Sequence, residues 1–100
     1  MAGYEPRTSF WMDFTIADMF GRDSIRNTYD RALREWKSNT EYLTELVMVL
    51  NWKCWEWHNT REEYAERYSR FYAELYEQAD MYCMDHLSGD DMDYYLRTVD

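Results

Sequence analysis

Apolar residues cover almost the whole circumference of the segment from 41 to 57 when it is drawn as a helix. One face, at three- and four-residue spacing, consists of Leu43, Leu46, Val47, Leu50, Cys54 and Trp57. A second row is formed by Met48, Trp52 and Trp55. Because an apolar helix must be covered on every side, this segment is predicted either to be the hub of a small bundle or to meet a second molecule.

Two more long helices are predicted, one on each side of this hub. Asp23 is interpreted as the N-cap of a helix from 24 to about 38, which has apolar residues at helical spacing. Thr60 and Glu63 match a capping box, so the last long helix is predicted to begin there and to run to about residue 87.

Shorter signals complete the pattern. Asn39 or Thr40 is expected to cap the central helix, and Thr15 is expected to cap a short helix that ends before Gly21. A final short helix is expected from 91 to 96, after the break at the last glycine.

Together these elements predict an all-α fold: a small bundle of three main helices with short N- and C-terminal helical elements. The chain has only three Gly and one Pro, which favours long helices with short links. Its length fits a single helical domain over residues 1–100, in which residues 1–8 are predicted to be disordered. The far end of the last long helix, near Tyr82 and Leu87, is expected to protrude and to offer a dimer contact.

The aromatic share of 19% is more than one small core usually holds. Tyr and Trp suit half-buried positions and interfaces, because each joins a large apolar area to a polar group. Some of these rings are therefore expected at a subunit contact or a ligand site, and the protein is expected to be a homo-oligomer.

The net charge of −9 is unevenly distributed: residues 1–39 are neutral, residues 40–79 carry −4 and residues 80–100 carry −5. Such a chain should be repelled by nucleic acid and by anionic membranes, and no direct binding to either is expected. It could attract a basic surface on another protein. The simpler interpretation is a solvated acidic surface that keeps the chain soluble. With no membrane-length apolar run and no signal peptide, a cytoplasmic location is expected.

Catalytic and metal-binding signatures are weak. Cys54 with His58 and Cys83 with His86 could each present two zinc ligands from one helical face. A hairpin that turns near Asn59 would place the two pairs roughly 27 Å apart, so packing roles and free thiols are favoured over a metal site. No catalytic residue, metal or cofactor is predicted, and the chain is not expected to be an enzyme.

Two groups of residues are candidates for ligand binding. Arg22 and Arg26 belong to a basic run that could form a phosphate-binding edge, although ladders at four-residue spacing are typical of a solvated helix surface. In the hub helix, a nucleobase could stack on aromatic rings while an ammonium group meets its phosphate. The residues of this second group are Tyr42, Asn51, Trp52, Lys53 and Trp55. The favoured alternative is that Lys53 marks the solvent-facing side.

Several phrases of the sequence resemble small uncharacterised acidic proteins encoded by phages and mobile elements of gut bacteria. The similarity covers roughly residues 13–57, and a weaker similarity extends over residues 87–100. It rests on the runs Phe20–Ile25, Thr28–Ala32, Glu35–Lys37 and Tyr42–Lys53. The resemblance implies a context only: small proteins of this kind are often antagonists of bacterial defence in the host cytoplasm.

These observations favour a non-catalytic binding protein. In the leading hypothesis, an acidic and aromatic surface inhibits a host defence protein by stoichiometric binding. In the alternative, an oligomer sequesters a small nucleotide signal of the immune response. A structural or regulatory phage protein is a third possibility.

Overall fold

The computed structural model describes residues 9–99, which form five α-helices and contain no strand. In chain order the helices are α1 (Phe10–Asp18), α2 (Arg22–Trp36), α3 (Thr40–His58), α4 (Ala65–His86) and α5 (Gly89–Val99). The all-α prediction is confirmed. The predicted disorder of residues 1–8 lies outside the described residues.

Helix α3 is the centre of the arrangement and packs against each of the other four helices. Its buried apolar residues are Leu43, Leu46, Val47, Val49 and Leu50. They meet the inner faces of all four neighbours in one core cluster, which includes Phe14 of α1, Ile25 of α2, Leu75 of α4 and Tyr95 of α5. This contact on all sides explains why the segment is apolar around its circumference.

Of the four N-caps predicted from the sequence, one agrees with the structure and three differ. Asn39 caps α3 as predicted, because its side-chain oxygen accepts a hydrogen bond from the backbone N–H of Tyr42 at 3.1 Å. The capping box at Thr60 is wrong: its hydroxyl donates back to the carbonyl of Glu56 at 2.8 Å, and α4 begins only at Ala65. Asp23 lies inside the first turn of α2 rather than at its cap.

The third difference concerns α1, which begins earlier than predicted. Thr15 is not a cap; it lies inside the helix, where its hydroxyl donates to the carbonyl of Trp11 at 2.8 Å. Gly21 separates α1 from α2 with φ 103° and ψ −179°, a conformation that is essentially restricted to glycine. Gly21 lies in the three-residue link between the two helices, and α1 packs against both α2 and α3.

Helix α5 covers the end of α4 that was expected to protrude. Tyr95 of α5 is fully buried, and its hydroxyl donates a short hydrogen bond to the carboxylate of Asp80 on α4. Tyr82 and Leu87 pack against the core and are partly buried. The expected protrusion is therefore wrong, and with it the reason for placing a dimer contact at that end.

The two cysteines are free thiols, at Cys54 on α3 and Cys83 on α4. Cys54 packs against Ser69, whose hydroxyl donates to its carbonyl at 2.9 Å. The residue of α4 beside Cys54 is therefore Ser69, and Cys83 lies further along the same helix.

Candidate functional site

A buried ammonium group lies at the junction of α1, α3 and α4. Lys53 is only 1% exposed, and most of its neighbours on α3 are apolar. Its Nζ lies 2.6 Å from Oδ2 of Asp18 and also pairs with the carboxylate of Glu56, one helical turn further on. It donates in addition to the hydroxyl of Thr15 at 3.3 Å. Burial of a charge is tolerated here because the ammonium is surrounded by hydrogen-bond acceptors.

The carboxylate of Asp18 is the second centre of this network. Its Oδ1 accepts a hydrogen bond from the hydroxyl of Tyr72 at 2.5 Å, and its Oδ2 accepts one from the indole N–H of Trp57 at 3.1 Å. Burial raises the pKa of Tyr72 far above its usual value, and the neighbouring charge of Asp18 raises it further. The hydroxyl therefore stays protonated and remains a donor throughout the neutral range.

Aromatic rings enclose the ammonium on its remaining sides. The rings of Trp11 and Tyr72 each have their centroids 5.9 Å from Nζ of Lys53, within the range of cation–π attraction. Trp11 also stacks on Trp52, with 5.8 Å between ring centroids. The network is thus fixed by packing as well as by charge, and its geometry is set before any ligand arrives.

An open cleft of about 390 Å³ lies directly beside this network. Its lining includes Asp18, Lys53, Glu56, Trp57, Glu62 and Tyr64, which come from α1, α3 and the link between α3 and α4. Three carboxylates face one ammonium group there, so the cleft has a formal charge of −2. The rings of Trp57 and Tyr64 form an aromatic wall, with centroids 5.8 Å apart. We refer to this feature as the acidic cleft.

The chemistry of the acidic cleft favours a cation that has a flat or apolar body. Aromatic faces attract cations electrostatically, and a guanidinium group can stack on a ring while it donates to a carboxylate. The ammonium of Lys53 is already neutralised by two carboxylates, so it has little attraction left for a phosphate. The cleft therefore suits an arginine or lysine side chain better than a nucleotide.

The residues predicted to bind a ligand are not brought together. Lys53 is buried rather than solvent-facing, which corrects that interpretation. Trp52 is partly buried, whereas Trp55 is 55% exposed. Tyr42 packs edge-on against Trp36. Tyr42 precedes Trp52 by ten residues, which is roughly 15 Å along the helix.

The other predicted ligand residues lie on separate surfaces. Arg22 is exposed at the start of α2. Arg26 donates to the side chain of Gln78 on α4 at 3.1 Å and lies over the ring of Phe71. Asn51 is partly buried on α3. Of the predicted group, only Lys53 lines the acidic cleft.

Most residues of the acidic cleft were not predicted from the sequence. A lone lysine in an apolar helix requires a carboxylate partner, and Glu56 at three-residue spacing could have been identified on that ground. Asp18 could not, because it is distant in the sequence and comes close only when α1 packs on α3. Trp57 was assigned to the core face, and its bond to Asp18 depends on the same packing.

Among residues 9–99, no group of three or more His, Cys, Asp and Glu side chains is placed to hold a metal ion. None of the described helices combines the length and apolar character needed to cross a membrane. Comparison of the chain with protein-family models, curated proteins and solved structures found no match.

Proposed function

We propose that this chain is a non-catalytic binding protein that acts by stoichiometric contact with a basic partner protein. The observation that carries the proposal is the acidic cleft, in which carboxylates and aromatic rings converge on a space of about 390 Å³. An arginine side chain of the partner would place its guanidinium against Trp57 or Tyr64 and donate to Glu56 or Glu62.

The groups that would meet such a side chain are accessible. Tyr64 is 43% exposed, the side chain of Glu56 is 37% exposed, and Glu62 is exposed. Behind them, Lys53 and Asp18 are buried and paired, so the inner wall is already ordered. A wall ordered in advance lowers the conformational entropy lost on binding, which supports a specific contact rather than a diffuse one.

The wider charge distribution supports the same partner. All nine net negative charges fall within residues 40–100, which supply α3, α4, α5 and most of the lining of the acidic cleft. A surface of one sign raises the rate at which an oppositely charged protein arrives, and it disfavours acidic competitors. The excess of acid would therefore steer a basic partner towards the cleft.

The biological setting that we propose is antagonism of bacterial defence by a phage protein in the host cytoplasm, with a host defence protein as the partner. It rests on the resemblance of residues 13–57 to small acidic phage proteins. A nucleotide sponge receives less support, because Lys53 is neutralised and the candidate residues lie on separate surfaces. A structural or regulatory phage protein would also use protein contacts, without an immune role.

A binding assay with a defined basic probe tests the proposal. The probe is a fluorescent peptide of alternating glycine and arginine, and its anisotropy is measured as full-length protein is added at low salt. Substituting Glu62→Lys reverses one charge at the cleft and should weaken binding by about tenfold. The matched control is Glu77→Lys, an equally exposed site about 18 Å along α4 from Ala65.

The two variants carry the same net charge, so they separate a local site from general attraction. A large loss with Glu62→Lys and a small one with Glu77→Lys supports the cleft. Equal losses with both would show that the peptide follows net charge alone, and the proposal would be rejected.

A further inference from the structure

Helix α1 is apolar on two opposite faces. Its inner face contributes Phe10, Phe14 and Ala17 to the core. Its outer face and the turn that follows carry four large apolar side chains that are 50 to 79% exposed: Met12, Ile16, Met19 and Phe20. On a helix of 3.6 residues per turn, these four positions fall within about 100° of arc, so they form one continuous surface. We refer to it as the α1 stripe.

The α1 stripe is similar in area to the largest apolar patch of a typical soluble protein. Its four residues expose roughly 500 Å² together, and patches of about 300 to 600 Å² often have a function. Methionine and phenylalanine are also common at protein interfaces, because Met adapts to irregular surfaces and Phe supplies area. The stripe is therefore a candidate interface rather than a chance exposure.

A shallow groove of about 250 Å³ runs beside the stripe, between α1 and α2. Its lining includes Asp13, Ile16, Phe20, Thr28 and Arg31. A cavity of about 150 Å³ is enough to take a benzene ring. The groove is therefore large enough for the ring of one phenylalanine, and Phe20, which is 74% exposed, lines the same groove. An exposed ring beside a groove that can hold it is a self-complementary surface.

Charge distinguishes a second copy of the chain from a basic partner at this surface. Residues 9–39, which form α1 and α2, carry five acids and five bases and are neutral overall. A basic protein gains no electrostatic attraction there, and a second copy meets a neutral facing surface, because the net charge of −9 lies within residues 40–100. The groove also has one charge of each sign, at Asp13 and Arg31, and a two-fold axis could pair each with its opposite on the other copy.

We infer that the α1 stripe is the interface of a two-fold symmetric homodimer, in which Phe20 of each copy enters the groove of the other. The inference goes beyond the proposed function and does not depend on it. Met19 is the only residue that the stripe shares with the lining of the acidic cleft.

Sedimentation of the full-length chain tests this inference without any partner. The stripe supplies roughly 500 Å² of the about 800 Å² per subunit that a standard interface buries, so we expect association in the micromolar range. Between about 1 and 100 μM, the measured mass should rise from 12.4 kDa towards twice that value. A mass that stays at the monomer value across this range would overturn the inference.

Two sets of variants locate the contact. Phe20→Glu should abolish the dimer, whereas the control Met81→Glu, at an equally apolar site 63% exposed on α4, should leave it intact. Asp13→Arg and Arg31→Asp should each weaken the dimer, and the double variant should restore much of it. A dimer that persists in Phe20→Glu would contradict the assigned surface, and circular dichroism of each variant identifies any that fail to fold.

Discussion

The ammonium nitrogen of Lys53 on α3 lies 2.6 Å from a carboxylate oxygen of Asp18 at the end of α1. This pair joins the first helix to the hub of the fold, and both side chains are almost fully buried. The same pair forms the inner wall of the acidic cleft. One ion pair therefore links the stability of the fold to the geometry of the proposed binding site.

Removing only the ammonium group of Lys53 should destabilise the fold. Lys53→Met leaves the carboxylate of Asp18 buried without its counter-charge, and we expect the free energy of unfolding to fall by about 3 to 5 kcal/mol. Unfolding in urea, followed by circular dichroism, measures the change.

The double variant Lys53→Met with Asp18→Asn is the control for that experiment. Asparagine is neutral. Its carbonyl oxygen can accept from the indole N–H of Trp57 in place of Oδ2, while its amide group can donate to the hydroxyl of Tyr72. We expect the double variant to be more stable than Lys53→Met alone. Equal or lower stability would show that packing, and not the buried charge, determines the cost.

Stability should fall in alkaline solution. Burial raises the pKa of the Cys83 thiol to about 11, and it raises the pKa of Tyr72 and Tyr95 well above their usual value. Above about pH 9 the unfolded chain releases protons that the folded chain retains, so the free energy of unfolding decreases as pH rises. Below that pH these groups are protonated in both the folded and the unfolded chain, so their contribution to the free energy of unfolding is fully present. Urea unfolding from pH 7 to pH 11 measures the dependence, and a constant value over that range would contradict it.

The backbone at Gly21 should not tolerate a side chain. Its φ of 103° with ψ of −179° is a region that only glycine occupies readily, so Gly21→Ala should cost about 1 to 3 kcal/mol. An added Cβ meets no atom within 4 Å, so the cost comes from the backbone alone. Gly89→Ala is the matched control, because φ is 56° there and the space is equally open. We expect the smaller loss at Gly89, and the reverse order by thermal unfolding would refute this account of the turn.

Tyr95 should hold α5 to the rest of the molecule. It is the only buried residue of that helix, and its hydroxyl donates to Asp80 on α4. Tyr95→Ala should cost about 3 to 5 kcal/mol if α5 stays docked, or should release α5 at a smaller cost. Hydrogen exchange separates these results, since release removes protection from residues 89–99 alone. Tyr95→Phe keeps the ring, so we expect exchange there close to that of the wild type.

Some local features and the central position of α3 were accessible from the sequence, whereas most contacts between helices were not. Asn39 capped its helix as predicted, because an N-cap depends on residues within one turn. The capping box predicted at Thr60 does not form, because the hydroxyl of Thr60 donates to a carbonyl on the preceding turn of α3. The sequence alone could not show whether the Thr60 hydroxyl would cap the next helix or donate to the carbonyl of Glu56.

The candidate site was also predictable from the sequence only in part. The unusual position of Lys53 within an apolar helix was visible in the sequence, but solvent exposure was the wrong interpretation. Its main partner, Asp18, lies on another helix, and the turn at Gly21 that positions α1 has a conformation the sequence did not reveal. The acidic cleft therefore emerges only when three separate segments are folded together.

The central claim, that the acidic cleft receives a basic side chain, is tested most directly by the indole N–H signal of Trp57 in a ¹H–¹⁵N spectrum. The full-length protein is titrated at low salt with the glycine–arginine peptide, and then with the same peptide in which citrulline replaces each arginine. We expect the Trp57 signal to shift with the arginine peptide and to remain in place with the uncharged one. Movement confined to signals outside the cleft, or an equal response to both peptides, would contradict the claim.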